Sequence, residues 1–429
     1  MHEGEIIIKR VNSVDEYLNE VPNSISKFPS NREYLDGRYI KGKLIQNMVL
    51  YRGQNKNYGS TRYLASLFRQ QKDEYSLTST YMNMHDLSKL DNNFSRLSYM
   101  QHFGLPTRLL DFTVNKLVAL YFACQPDKNG CFDKDDGIID ICFTNTKQND
   151  DNYLSPNVYS YYDNSNDDYM DDIVELDATL ALMTENDKSF IYNKIHEFEK
   201  FVRDSFSSIA KDKKDINFDI RKYYSLFCRS KRKCIEDNLT HPFEYYMSDV
   251  IETGVFIPSN TLTKIYNYYN YNDFKIDVDA YVDAYIEETN RKAVDIFTNV
   301  NNAYDKLYGS PEIQSLLTAI NKETAINKET RLKDPVIDFV ALLRPFFVSP
   351  NINNPRIKAQ EGAFLFEPYK ESENFTKADI NEDIKKRFSF EESSIIIPAN
   401  RKESILKKLD DKYNINRATL FPDSENIAK

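Results

Sequence analysis

Three separated strings in this chain concentrate side chains able to grip or react with a small polar molecule. The first, Tyr51 to Gln54, closes an apolar run with Arg52, whose guanidinium fork matches phosphate or carboxylate, and with Gln54, whose amide suits a base or a nicotinamide-like amide. The second, Gln101 to Thr113, packs Gln101, His102, Thr107, Arg108, Asp111 and Thr113 into a segment read as a loop between two apolar helices, more hydrogen-bonding groups than a turn requires. His102 could move a proton near neutral pH, with Asp111 orienting it or pairing with an arginine. The third, Arg356 to Phe364, adds Arg356, Gln360 and the string's only carboxylate, Glu361. Each residue also has a structural role open to it. Arg108 and Asp111 could form an internal salt bridge, and Arg52 could pair with Asp111 instead of a ligand. His102 could satisfy the last carbonyls of a helix, Arg356 and Gln360 could brace a loop, and Glu361 could sit at an exposed strand edge.

The elements that position these strings follow from periodicity. Asn47 to Arg52 reads as a strand, followed by a turn over Gly53 to Ser60. A helix is predicted from about Asn92 to His102, broken by Gly104 and Pro106. Thr113 is the predicted cap of the next helix, whose stripe is Val114, Leu117, Val118 and Tyr121. Gly137 to Phe143 alternates and reads as a strand, and Ala363 to Phe366 and Ser394 to Pro398 also read as strands. Composition shifts at about residue 145 to an Asp/Asn/Tyr/Ser-rich loop through Asp172. Amphipathic helical stretches follow over Ile173 to Phe206, Glu244 to Val255 and Ile276 to Val300. The duplication Ile320 to Thr324 and Ile326 to Thr330 is too short for a solenoid. A helix is predicted over Pro335 to Arg344, and near the C-terminus Asn400 is the predicted cap of a helix with Ile405, Leu406, Leu409 and Tyr413 on one face. The expectation is an α+β fold with a mixed sheet, divided as an N-terminal extension over 1–34, a first part over 35–145, a mainly helical insertion over 146–334, and a closing part over 335–429.

Composition narrows the function. The chain has 429 residues and a net charge of −10, so no global basic field gathers nucleic acid, and nonspecific nucleic-acid binding is not expected. No run approaches the roughly 18 apolar residues of a membrane span, and Met1 to Arg10 has no signal-peptide layout, so a cytoplasmic location and no membrane partner are expected. Cys124, Cys131, Cys142, Cys228 and Cys234 form no CxxC pair and there is no HExxH, which points to reduced thiols and no metal site. GxGxxG, P-loop and GxSxG motifs are absent, which opposes hydride transfer, a P-loop nucleotidase and an α/β-hydrolase.

Taken together, the three strings resemble the FRG domain family, named for its Phe/Tyr-Arg-Gly motif, here Tyr51-Arg52-Gly53. Ala119 to Ala123 continues the second string. Ile395 to Pro398 and Leu420 to Asp423 look like the family's C-terminal part, and Phe112 stands where the family commonly has Trp. The order of an early Arg, a Thr-bearing middle and a late Gln/Glu is also similar to the ADP-ribosyltransferase superfamily. That similarity implies Arg52 on the substrate's ribose and a late carboxylate stabilising an oxocarbenium-like transition state. In that pattern, however, the catalytic carboxylate falls at Gly362. The resemblance implies an enzyme of nucleotide-like substrates, transferring ADP-ribose or hydrolysing NAD, of a kind that would suit a toxin or antiphage effector by analogy. NAD enters as a substrate, and no bound cofactor is specified. The alternatives are a ligand-sensing module that engages a protein partner through the insertion and its Tyr153 to Tyr169 loop, and a nuclease or other phosphoesterase.

Overall fold

The computed structural model describes residues 9–21, 43–44, 49–88, 90, 92–126, 130–132, 135–143, 171–207, 295–324, 336–350, 355–369 and 394–422, with single positions between 224 and 235. The chain divides into two compact units: residues 1–189 with 319–331 and 344–429, and residues 190–318 with 332–343.

The first unit is built on a sheet of eight strands in the order β1-β8-β5-β3-β4-β7-β6-β2. The strands are β1 (Lys9–Arg10), β2 (Lys43–Leu44), β3 (Val49–Gln54), β4 (Leu109–Thr113), β5 (Gly137–Phe143), β6 (Phe346–Ser349), β7 (Gly362–Phe366) and β8 (Ile395–Ile397). Only β1 and β8 pair in parallel; the remaining neighbours are antiparallel, so the sheet is mixed and the fold is α+β. Strands from the two ends of the sequence alternate across it, and the strings around Arg52, Asp111 and Gly362 therefore lie on adjacent strands.

Period-two alternation gives the sheet two apolar faces. Val49, Tyr51, Ile139, Ile141, Ile395 and Ile397 pack with helices α1 (Val14–Glu20), α5 (Lys116–Ala123), α10 (Lys402–Tyr413) and α11 (Arg417–Leu420). Leu50, Leu110, Phe112, Cys142, Phe347 and Leu365 pack on the other face with Tyr63 and Leu64. The other described helices of this unit are α2 (Ser66–Gln70), α3 (Glu74–Met84), α4 (Asn93–His102), α6 (Asp171–Ala181) and α9 (Pro355–Gln360). The Asn92 side chain caps α4 by accepting from Ser95 N at 2.8 Å, while Glu175 of α6 accepts from Asn93 N at 2.9 Å. Two neighbours therefore fix where α4 starts and, through its length, where Gln101 and His102 end up.

Several expectations need correction here. Leu109 to Thr113 is a central strand, because its apolar residues pair with β7 over five positions. The cap of α5 is Asn115, whose side chain accepts from Leu117 N at 2.9 Å; Thr113 is still in β4. The cap position of α10 is Arg401, since Ala399–Arg401 is first wound as a 3-10 turn. The turn after Arg52 starts later than expected, because Gly53 and Gln54 continue β3 opposite Ile139 and Ile138.

The second unit, by itself, is mainly helical where described. It holds most of α7 (Glu185–Ser207), residues 295–308 and the first part of α8 (Pro311–Thr324). Its core is aromatic: Phe206 meets Phe297 edge-on at 5.5 Å, and Tyr304 packs on Phe339 at 5.4 Å. The helix expected over Pro335 to Arg344 reduces to a 3-10 turn at Ala341–Leu343. The Ile337 N–H is taken by the Tyr304 hydroxyl at 2.8 Å, and the apolar spacing reports a packed loop. Glu244 to Val255, Tyr153 to Tyr169, the second copy of the short duplication and the start of Ile276 to Val300 lie outside the described residues.

Candidate functional site

The middle of the sheet is its least continuous part. β3 pairs with β5 over six positions and β4 with β7 over five, but β3 and β4 are registered at one pair, Tyr51 with Thr113. Where that pairing ends, a cleft of about 250 Å³ lies against both strands. Its lining includes Arg52, Gly53, Asp111 and Phe112 from the two strands, Gln101 and His102 from the end of α4, Phe122 from α5, and Arg356 and Gln360 from α9.

The Tyr-Arg-Gly triple divides its work by alternation. Tyr51 is buried in the core beneath α5. Gly53 lets that helix lie directly on the strand: a Cβ at this position would stand 1.8 Å from the Ala119 carbonyl oxygen. Arg52, between them, lies with its guanidinium 5.9 Å from the Phe112 ring centroid. Its Nη1 donates to the Asp111 backbone carbonyl at 2.7 Å, bridging the two strands, and its Nε is buried without a partner. Burial lowers the Arg52 pKa and nearby Asp111 opposes this, but an arginine remains a cation throughout. The pairing expected between Arg52 and the Asp111 carboxylate is thus a bond to its carbonyl.

Asp111 is reached by solvent, yet protein surrounds it closely enough that lost hydration raises its pKa above the ordinary carboxylate value, against the opposing pull of Arg52, the Gln101 bond and Arg356. Its Oδ2 accepts from Gln101 Nε2 at 3.0 Å, and Gln101 Oε1 accepts from Thr107 Oγ1 at 2.7 Å. Asp111 is the only carboxylate among the described residues of the lining. On the facing wall, Arg356 donates to the His102 carbonyl at 3.0 Å and stacks 4.4 Å from the Phe421 ring centroid. Gln360 Nε2 donates to Leu420 O at 3.1 Å, and its own carbonyl accepts from Thr113 Oγ1 at 2.7 Å.

The structure therefore brings Arg52, Gln101, His102, Asp111, Thr113, Arg356 and Gln360 around one cleft. The other candidates lie elsewhere. Arg108, expected at the site and as a partner of Asp111, points away from it; it is fully buried and ion-paired with Glu74. Gln54 is buried, donating to Arg62 O at 3.4 Å, and Thr107 is buried behind Gln101. Glu361 occupies the left-handed region at φ +45° after α9 and accepts from Asn115 Nδ2 at 2.7 Å, so it braces the start of α5 and is absent from the lining. Sequence reasoning overlooked the apolar wall of Phe112, Phe122, Ile357 and Phe364, whose apolar periodicity reads as ordinary core. Among the described residues no His/Cys/Asp/Glu cluster has the arrangement of a metal site, and no helix is long and apolar enough to cross a membrane.

No curated protein and no solved structure matches the chain. Residues 47–130 match the FRG domain, a stretch that runs from β3 and its Tyr-Arg-Gly triple through α4, β4 and α5, so the strands and helices that carry most of the cleft lie in the segment that is similar to an FRG domain.

Proposed function

We propose that the cleft is the reaction site of an enzyme acting on a nucleotide-like substrate, with cleavage or transfer at a glycosidic bond, as in NAD, the concrete form. The observation that carries this is Asp111, a solvent-reached carboxylate with raised proton affinity that shares an aromatic-walled cleft with two arginines. In hydrolysis, the bond between the sugar's anomeric carbon and the base breaks with its electron pair leaving on the base. A water oxygen bonds to that carbon, and Asp111 takes the water's proton. An ionised Asp111 also stabilises the positive charge that develops on the sugar. Arg52 supplies the anchoring cation.

A sensing role without chemistry is the second reading, favoured by the direct ties between the cleft walls, Arg356 to the His102 carbonyl and Thr113 to the Gln360 carbonyl. Incubation of the folded chain with NAD and a nucleotide panel, read by mass detection of products, separates the two. Released base that disappears in Asp111→Asn supports the enzyme; tight binding with every substrate recovered intact overturns it in favour of the sensor.

A further inference from the structure

Resting on that reading, we infer which part of the substrate enters: one monophosphorylated sugar unit, either a nucleoside monophosphate or the matching half of a larger nucleotide. Its phosphate sits on the open edge of Arg52 and a ring hydroxyl sits on Asp111.

The Arg52 guanidinium has one arm committed, Nη1 to the Asp111 carbonyl, and a buried Nε with no partner. Nε and Nη2 form one edge of the guanidinium plane, and that edge matches two oxygens of a phosphate. An N–H kept from water without an acceptor is costly, so an acceptor supplied by a ligand recovers what the empty cleft forgoes. Arg356 shares the cleft, with Nη1 on the His102 carbonyl, its guanidinium over the Phe421 ring and its Nε likewise buried, so it adds positive charge for the same phosphate. Arg52 places the phosphate, and the small volume of the cleft limits it to one.

The acceptor side is equally limited. Gln101 takes Oδ2 of Asp111, and the solvent-reached carboxylate can still accept from a sugar hydroxyl. Phe122 and Phe364 supply an apolar wall for the ring or base. The cleft's volume, about 250 Å³, lies below the roughly 300 to 1,000 Å³ typical of pockets that enclose drug-sized ligands, so a dinucleotide would leave one half outside.

Calorimetric titration of the full chain with inorganic phosphate, ribonucleosides, their 5′-monophosphates and intact NAD tests this. Each monophosphate that binds is expected to exceed its nucleoside by about tenfold or more, the weight of a charge-assisted hydrogen-bonded pair, and NAD is expected to bind about as tightly as its better half. Arg52→Lys should erase most of the phosphate increment while leaving nucleoside affinity near wild type, and Asp111→Asn should weaken ribonucleosides but not inorganic phosphate. Nucleosides binding as well as their monophosphates, NAD far exceeding both of its halves, or no binding by any probe would overturn the inference; the wild-type comparison decides it even where a variant does not fold. Phosphate-dependent binding without product would leave this inference standing and remove the enzymatic reading.

Discussion

Two charged clusters in the same unit draw on the same short string and treat their charges in opposite ways. Arg108, just before β4, belongs to a dry cluster: its guanidinium pairs with Glu74 of α3, and Lys188 at the start of α7 reaches the same carboxylate at 3.0 Å. All three side chains are at most 2% exposed. Asp111, three residues on, opens to the cleft with one oxygen bonded to Gln101, beside an Arg52 whose Nε has no partner. Burial works against the charge of both carboxylates, but two cations overcome it at Glu74 and hold its pKa below the ordinary value, whereas at Asp111 burial prevails and the value rises. Satisfied charges fix the fold, and the partly satisfied ones are those that the proposed ligand would meet.

The comparison breaks first if the dry cluster is not structural. Arg108→Ala leaves Glu74 and Lys188 buried with a hole beside them and is expected to cost about 3 to 5 kcal/mol, measured by chemical denaturation. A loss under about 1 kcal/mol would place this cluster with ordinary surface pairs. Gly53→Ala should follow closely, because the new Cβ meets helix backbone and not a flexible side chain; about 1 to 3 kcal/mol is expected, with a lowered melting temperature.

Acid titration sharpens the contrast through its sign. Glu74 titrates lower in the folded chain than its ordinary 4.5, so the stability it contributes is present above that value and is lost as pH falls through the folded pKa. Asp111 titrates above its ordinary 3.8, so the folded state binds its proton more tightly and this group's contribution worsens as pH rises through that window. Glu74→Gln should therefore melt far below wild type at neutral pH with the gap narrowing in acid, while Asp111→Asn should melt at or slightly above wild type at neutral pH, converging with it in acid. Parallel behaviour of the two variants would erase the distinction. The smallest effect is expected at Glu361→Gln, which keeps an acceptor for Asn115: melting and product formation should both stay near wild type, and loss of turnover with an unchanged melt would return Glu361 to the reacting groups.

Much of the framework is readable in the sequence because local physics decides it. Strand β5 shows alternation, β3, β7 and β8 show short apolar runs, and α4 ends at a glycine and proline stop. Dense polar motifs in two incomplete parts of a sheet point to one shared cleft for Arg52, His102, Arg108, Asp111 and Gln360; four of these line it, and Arg108 does not. What stayed hidden depends on distant partners. β4 is dense in polar residues and reads as a loop until β7 is known to lie beside it. Arg108 resembles a site residue in every local respect, and only Glu74, thirty-four positions earlier, and Lys188 from a separate helix reveal its role. Glu361 looks like the late carboxylate of a glycosyl-transferring site, yet the left-handed turn after α9 sends it to Asn115.

The most direct test of a site built on incompletely paired charge is Asp111→Asn, assayed on one preparation for thermal melting and for product release from NAD and the nucleotide panel. The account predicts a melting temperature at or above wild type together with loss of turnover. A melting temperature lowered by several degrees, with turnover per folded molecule unchanged, would show that Asp111 holds the sheet together and does no chemistry.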